Sequence, residues 1–193
     1  MDSYLEQELE FLLDRIIVKS DKTQVMMSWE EPLMRAMAEI VAMRRGDVLE
    51  IGFGMGISSG AVARLNPRSQ TIIEAHPQII ERAEKWAEGR ATTRILPGKW
   101  QDILPTLGSY DGILFDVFGG KGQREAFFGE LKKHLRPGGW ATLWLADDRE
   151  IRPELAALLH AQGFSWNYRK VVAIPPPDCT YSQSNLFFIP AIH

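Results

Sequence analysis

The sequence predicts an α/β fold, a doubly wound and mostly parallel sheet of seven strands covered by helices, and three observations predict it. Short β-branched runs alternate with helical stretches from residue 47 onward. The first run leads into a turn that carries Gly52, Gly54, Gly56 and Gly60. The second run ends in an acid, Glu74, about 20 residues further on.

Taken in order, apolar residues Tyr4, Leu5, Phe11, Leu12 and Ile16, then Leu33, Met34, Met37, Ile40 and Val41, recur at helical spacing, so two helices precede the first strand. The strand runs are DVLEI (47–51), SQTIIE (69–74), TTRIL (92–96), GILFDVF (112–118) and WATLWLA (140–146). Between and after them lie helical stretches at 58–65, 77–88, 123–135 and 151–162. Arg136-Pro137-Gly138-Gly139 and Gly163 serve as stop signals for the last two. The tail FSWNYRKVVAI, the turn PPPDCTYSQ and the run SNLFFIP read as an antiparallel hairpin, which completes the seven strands. The domain expected is single, 1–193, with 1–45 a helical lid and 46–193 the α/β core.

Composition narrows the function. The chain has 45% apolar and 24% charged residues and a net charge of −3, which gives no basis for a nucleic-acid groove or a membrane partner. Cys179 is the one cysteine, and His76, His134, His160 and His193 lack ligand spacing, so neither a disulfide nor a metal site is expected. His134 follows Lys132 and Lys133 and reads as a helix C-terminus, and His160 reads likewise. The acidic start lacks a signal-peptide pattern and no apolar run reaches about 18 residues, so a cytoplasmic protein is expected.

In an open α/β sheet, ligands bind at the carboxyl ends of the strands where strand order reverses, and the first strand-to-helix turn lies there. Gly52, Gly54 and Gly56 let the backbone take unusual angles and let a ligand approach free helix N–H groups. Gly60 suits close helix-to-strand packing. Glu74 can accept both hydroxyls of a ribose, which suggests an adenosine-bearing cofactor, although any tight turn of this kind can be glycine-rich. A dinucleotide fits poorly. The glycines alternate, and Tyr4, Tyr110, Tyr168 and Tyr181 are followed four residues on by Glu8, Leu114, Val172 and Asn185, so the Tyr-Lys pair of a short-chain dehydrogenase is missing.

"YDGILFDVFGG" followed by "LRPGGWATLWL" resembles the fourth and fifth strands of class I S-adenosylmethionine-dependent methyltransferases, a likeness spanning residues 46–146. It implies a Rossmann-like fold and S-adenosyl-L-methionine as cofactor. The turn Gly52, Phe53, Gly54, Met55, Gly56, Ile57 and Ser58 would face its methionine part, Glu74 and Ala75 its ribose, and Trp100 and Gln101 its adenine. Trp100 could equally be a core aromatic.

Six segments, "VMMSWEEPLM", "VLEIGFGMGI", "IIEAHP", "GKWQDILPTL", "DGILFDVF" and "PPPDCTY", resemble in order and spacing the guanidinoacetate N-methyltransferase family and the arginine N-methyltransferase related to it. The resemblance implies that Glu30 and Asp116 hold an acceptor guanidinium with help from the carbonyl of Val117. It also implies that Met26 and Met34 touch the cofactor as part of a lid. On the residues alone, Glu30 could cap the second helix, and the two methionines could be ordinary core.

The chemistry gives two carboxylates a purpose. A guanidinium has a pKa above about 12, so a nitrogen lone pair becomes available only as a proton leaves. A carboxylate can orient the planar cation through paired N–H bonds and accept that proton. The loop Phe118-Gly119-Gly120-Lys121-Gly122 and the N-terminal segment depart from the animal guanidinoacetate enzyme, and neither names an anchor for the acceptor's far end. Asp147-Asp148 could hold an acceptor's amine or start the next helix.

The leading expectation is N-methylation of a small guanidino compound such as guanidinoacetate. The alternatives are methylation of arginine in a protein, for which a chain of this length brings no docking module, and a non-catalytic module that binds S-adenosylmethionine. Oligomeric state is left open, a homodimer included.

Overall fold

The computed structural model describes residues 2–119, 122–146 and 148–193. Gly120, Lys121 and Asp147, singled out above, lie outside the described residues.

The N-terminal segment departs from the expected helix. After a single turn, α1 (Asp2–Leu5), the chain forms an antiparallel ribbon of β1 (Leu9–Phe11), β2 (Arg15–Val18) and β3 (Gln24–Met27). The spacing of Phe11, Leu12 and Ile16 fits a helix, but Ile16, Ile17 and Val18 are consecutive β-branched residues that favour extended backbone. They pair with Leu9, Glu10 and Phe11, and Lys22 takes a left-handed φ of 61° to close the turn into β3. Leu12, part of the apolar pattern expected to form a helix face, is exposed. A 3₁₀ turn, Ser28–Glu30, leads into α2 (Glu31–Val41), the second expected helix.

The remaining elements are β4 (Asp47–Ile51), α3 (Ile57–Arg64), β5 (Ser69–Glu74), α4 (Pro77–Ala87), β6 (Thr93–Pro97), α5 (Trp100–Ile103), β7 (Tyr110–Phe115), α6 (Gln123–His134), β8 (Leu135–Leu143), α7 (Pro153–Ala161), β9 (Trp166–Val172) and β10 (Leu186–Ile192). The seven-stranded sheet has the order β6-β5-β4-β7-β8-β10-β9. The first five strands are parallel, and β10 runs antiparallel to both of its neighbours. Strand order reverses between β4 and β7. Arg136-Pro137-Gly138-Gly139 lies inside β8 rather than in a loop: Leu135 already pairs with Tyr110, and a bulge with Gly138 at φ 72° restores register at Trp140.

Both faces of the sheet are covered, which explains why its strands read as continuous apolar runs. Val48 and Leu114 pack under α2 with Leu33, Met34, Met37 and Val41. Leu49, Ile51, Ile113 and Phe115 face Phe127, Phe128 and Leu131 of α6. The ribbon is fastened to α4. The Leu9 N–H donates to Gln78 Oε1 at 2.7 Å, and the Arg82 guanidinium sits 4.4 Å from the centre of the Phe11 ring. Among the described residues no helix is long and apolar enough to cross a membrane.

Candidate active site

A cavity of about 290 Å³ opens at the carboxyl ends of β4, β5 and β7, where the strand order reverses. Its floor is the turn after β4. Gly52 has φ 95°, and a β-carbon there would sit 1.9 Å from the Asp116 carbonyl oxygen, so glycine lets the end of β7 close against this turn. A β-carbon on Gly54, at φ 52°, would lie 2.5 Å from the sulfur of Met26, which also accepts the Met55 N–H at 3.2 Å. At these two positions the missing β-carbon makes room for the protein's own chain, while both glycines still line the cavity. Gly60 makes no close approach, since a β-carbon there would meet only Arg64 Nη1 at 3.6 Å.

Behind the turn, Glu50 is fully buried and ties it to α3, accepting from Ser58 Oγ at 2.5 Å, Ser59 Oγ at 2.9 Å and Gln70 Nε2 at 3.0 Å. Glu74 closes β5 and accepts three backbone N–H groups, from Ala75 and His76 on Oε1 and from Phe53 on Oε2, each at 2.8 Å. A carboxylate has about four acceptor sites, so one remains open on Oε2. Replacing Glu74 by Ala is therefore expected to weaken cofactor binding about tenfold or more, because it also leaves three N–H groups unpaired; calorimetric titration of S-adenosyl-L-methionine checks this.

Two other acids line the same cavity. Glu30 is 2% exposed, and Oε1 accepts the Met27 N–H at 2.8 Å and the Tyr181 O–H at 2.6 Å. It thus caps the 3₁₀ turn and faces the cavity at once, with Oε2 left for a ligand. Asp116 follows β7 and lines the same cavity together with Val117. Burial, reinforced by the charge of Asp116, pushes the Glu30 carboxyl up to about 7. Burial also pushes Asp116 up to about 6, against the opposing charge of Arg124, and Glu50 up to about 7, against its three hydrogen bonds.

These three shifts have a sign. Each folded value lies above the ordinary carboxylate range, so the free protein binds more protons folded than unfolded and loses stability as pH rises through about 6 to 7. The melting temperature without ligands is expected to fall between pH 5 and pH 8, and a bound cation in the cavity is expected to reduce that fall.

Of the residues expected to touch a cofactor, Met26, Gly52, Phe53, Gly54 and Ser58 line the cavity, as do Glu74, Ala75 and Trp100. Trp100 lines the cavity and is also packed in the core, buried edge-on against Phe115, and its indole N–H donates to Gln123 Oε1 at 2.8 Å. Met34 is fully buried in the core beneath α2 and does not reach the cavity wall. Met55, Gly56 and Ile57 are not part of its lining, and Gln101 lies on the surface, bonded to Gln123 at 3.0 Å.

Three of the cavity residues that carried no expected role bear on its chemistry. Tyr181 was signalled by the PPPDCTY segment but only the fold shows its hydroxyl on Glu30. Tyr4 packs on Phe118 with ring centres 4.6 Å apart, over the mouth. Arg124, in the first turn of α6, brings a cation to the wall that holds Asp116.

The reversal of strand order, the glycine turn and the paired acids define a class I methyltransferase fold. The solved precorrin-6y C5,15-methyltransferase of Geobacter metallireducens matches it with a TM-score of 0.65 at 14% identity, covering 93% of this chain and 92% of that one. Spermidine synthase of Thermotoga maritima matches with 0.69 at 13% identity, covering 95% and 71%.

The chain belongs to the guanidinoacetate N-methyltransferase family, whose sequence pattern matches residues 15–130. Protein arginine N-methyltransferase 2 of Eremothecium gossypii is 40% identical over 128 residues, 61% of this chain and 31% of its own length. The protein of the same name in Aspergillus oryzae is 37% identical over 159 residues, 77% of this chain and 38% of its own. The chain thus spans about a third of the length of these curated relatives.

Proposed function

We propose that this chain transfers a methyl group from S-adenosyl-L-methionine to a guanidino nitrogen, with a small molecule such as guanidinoacetate as acceptor. The observation that carries this reading is the convergence of Glu30 and Asp116 on one cavity beside the glycine turn. A buried pair of carboxylates is costly without a cation between them, and a planar guanidinium satisfies both.

The cofactor fits the remaining wall. The turn from Gly52 to Ser58 would hold its methionine part, the open site on Glu74 Oε2 a ribose hydroxyl, and Trp100 its base. When bound, it supplies an electrophilic methyl on a sulfonium. The protein's own part is alignment and proton transfer. Glu30 Oε2 and the Asp116 carboxylate accept the acceptor's N–H groups, the Val117 carbonyl takes another, and one carboxylate receives the proton released as the C–N bond forms.

Carboxyls that titrate near 6 and 7 are ionised often enough at neutral pH to bind the cation, yet basic enough to take its proton. Positive charge moves toward the acceptor during transfer, where the two anions lie. We read residues 1–193 as one catalytic unit in which α1 and the ribbon line the cavity from the N-terminal side.

Methylation of arginine in a protein is the second reading, favoured by the name that the curated relatives carry. Incubation with methyl-labelled cofactor and, separately, guanidinoacetate, free arginine or a protein extract distinguishes the two. Label in guanidinoacetate supports the first and label in protein the second. Cofactor bound with no label transferred to any acceptor would leave a non-catalytic binding module.

A further inference from the structure

A second cavity, of about 240 Å³, adjoins the first on the far side of Asp116, and the two share Asp116, Val117, Gly119, Arg124 and Trp144. Arg124 lines both cavities together with Asp116, and its charge acts on the Asp116 carboxyl. Arg124 has a side chain 27% exposed, and its ion pair with Asp148 is long, at 3.7 Å. The other arginine of the second cavity, Arg152, is more firmly engaged, by Glu125 at 3.0 Å. The indole N–H of Trp144 is buried and meets no acceptor among the described residues.

The charge balance selects among acceptors. Without a ligand, the cation among the described residues that offsets Asp116 is Arg124. A guanidinium arriving on Asp116 places a second cation against Arg124, and like charges in a partly desolvated site repel. An acceptor that brings its own anion removes the conflict: its guanidinium takes Asp116 and Glu30, and its carboxylate takes Arg124. An arginine side chain of a protein has no anion to offer there.

We propose that Arg124, assisted by the Trp144 indole N–H, is the subsite for the carboxylate of a small ω-guanidino acid and so selects free guanidino acids over protein arginine. The proposal rests on the guanidino-transfer reading above. It identifies an anchor for which the sequence names no residue, on the helix after β7.

Steady-state methylation of guanidinoacetate and of its neutral amide, guanidinoacetamide, by the full chain with cofactor tests it. The acid is expected to exceed the amide in kcat/KM by about tenfold or more. Arg124→Gln is expected to raise KM for the acid about tenfold with little change in kcat, to leave the amide unaffected or improved, and to be partly rescued by Arg124→Lys. Equal use of acid and amide by the wild-type chain would overturn the anchor while leaving guanidino transfer intact, and this comparison needs no variant to fold. A preference that survives in Arg124→Gln, or an arginine peptide used better than either compound, would overturn it as well. If the wild-type chain methylates no guanidino compound, the function proposed above falls, and the anchor with it.

Discussion

Asp116→Asn is expected to lower turnover on a guanidino acceptor about a thousandfold, the scale of losing a positioned proton acceptor, while cofactor affinity stays within about twofold. The amide keeps the shape of the carboxylate but can neither balance the acceptor's charge nor take its proton. A second signature separates this from general damage. Burial pushes Asp116 up to about 6, so at pH 8 its charge is a cost to the folded protein. The substitution should therefore raise the melting temperature at pH 8 and leave it nearly unchanged at pH 4, where the wild-type carboxyl approaches full protonation. It should also bring the Glu30 carboxyl down from about 7, since the Asp116 charge helps to raise it. Unchanged turnover, or lower stability at pH 8, would remove Asp116 from the role assigned.

Gly52→Ala is expected to destabilise the fold by about 3 kcal/mol or more, since it combines an incompatible backbone angle with overlap in a packed site. The backbone there has φ 95°, and the added carbon would lie 1.9 Å from the Asp116 carbonyl oxygen. Relief requires the end of β7 to move away from the turn, which separates the acceptor's acid from the cofactor's side of the cavity. Gly60→Ala is the internal control. It lies inside α3 with nothing nearer than Arg64 Nη1 at 3.6 Å, and should be neutral or stabilise by about 0.5–1 kcal/mol. Urea denaturation of the two variants measures both. Equal midpoints would mean that the β4 turn carries no packing constraint.

The contrast between these glycines shows where sequence reading stops. Both stand in the same motif, and spacing alone assigned tight packing to Gly60; the close contact is at Gly52, made by a strand some sixty residues away in sequence. The same holds for Met26 and Met34. The family resemblance gave them equal standing, yet β3 carries Met26 to the turn while Met34 is buried between α2 and the sheet. At the N-terminus, helical spacing over residues 4–16 yielded to β-branched pairing, because a short ribbon can bury Leu9, Ile16 and Val18 against α4.

What the sequence by itself determined is the α/β order of elements, the parallel sheet, the glycine turn, and the acids Glu30, Glu74 and Asp116. These depend on local period, on backbone angles that only certain residues tolerate, and on side chains at strand ends, all of which are written within a few residues. The tertiary structure decided which of them face one another: the Tyr181 hydroxyl on Glu30, Arg124 beside Asp116, and the ribbon at the cavity wall. Those contacts join residues far apart in the chain, and their energies come from burial and charge proximity, which exist only once the strands have been brought into order.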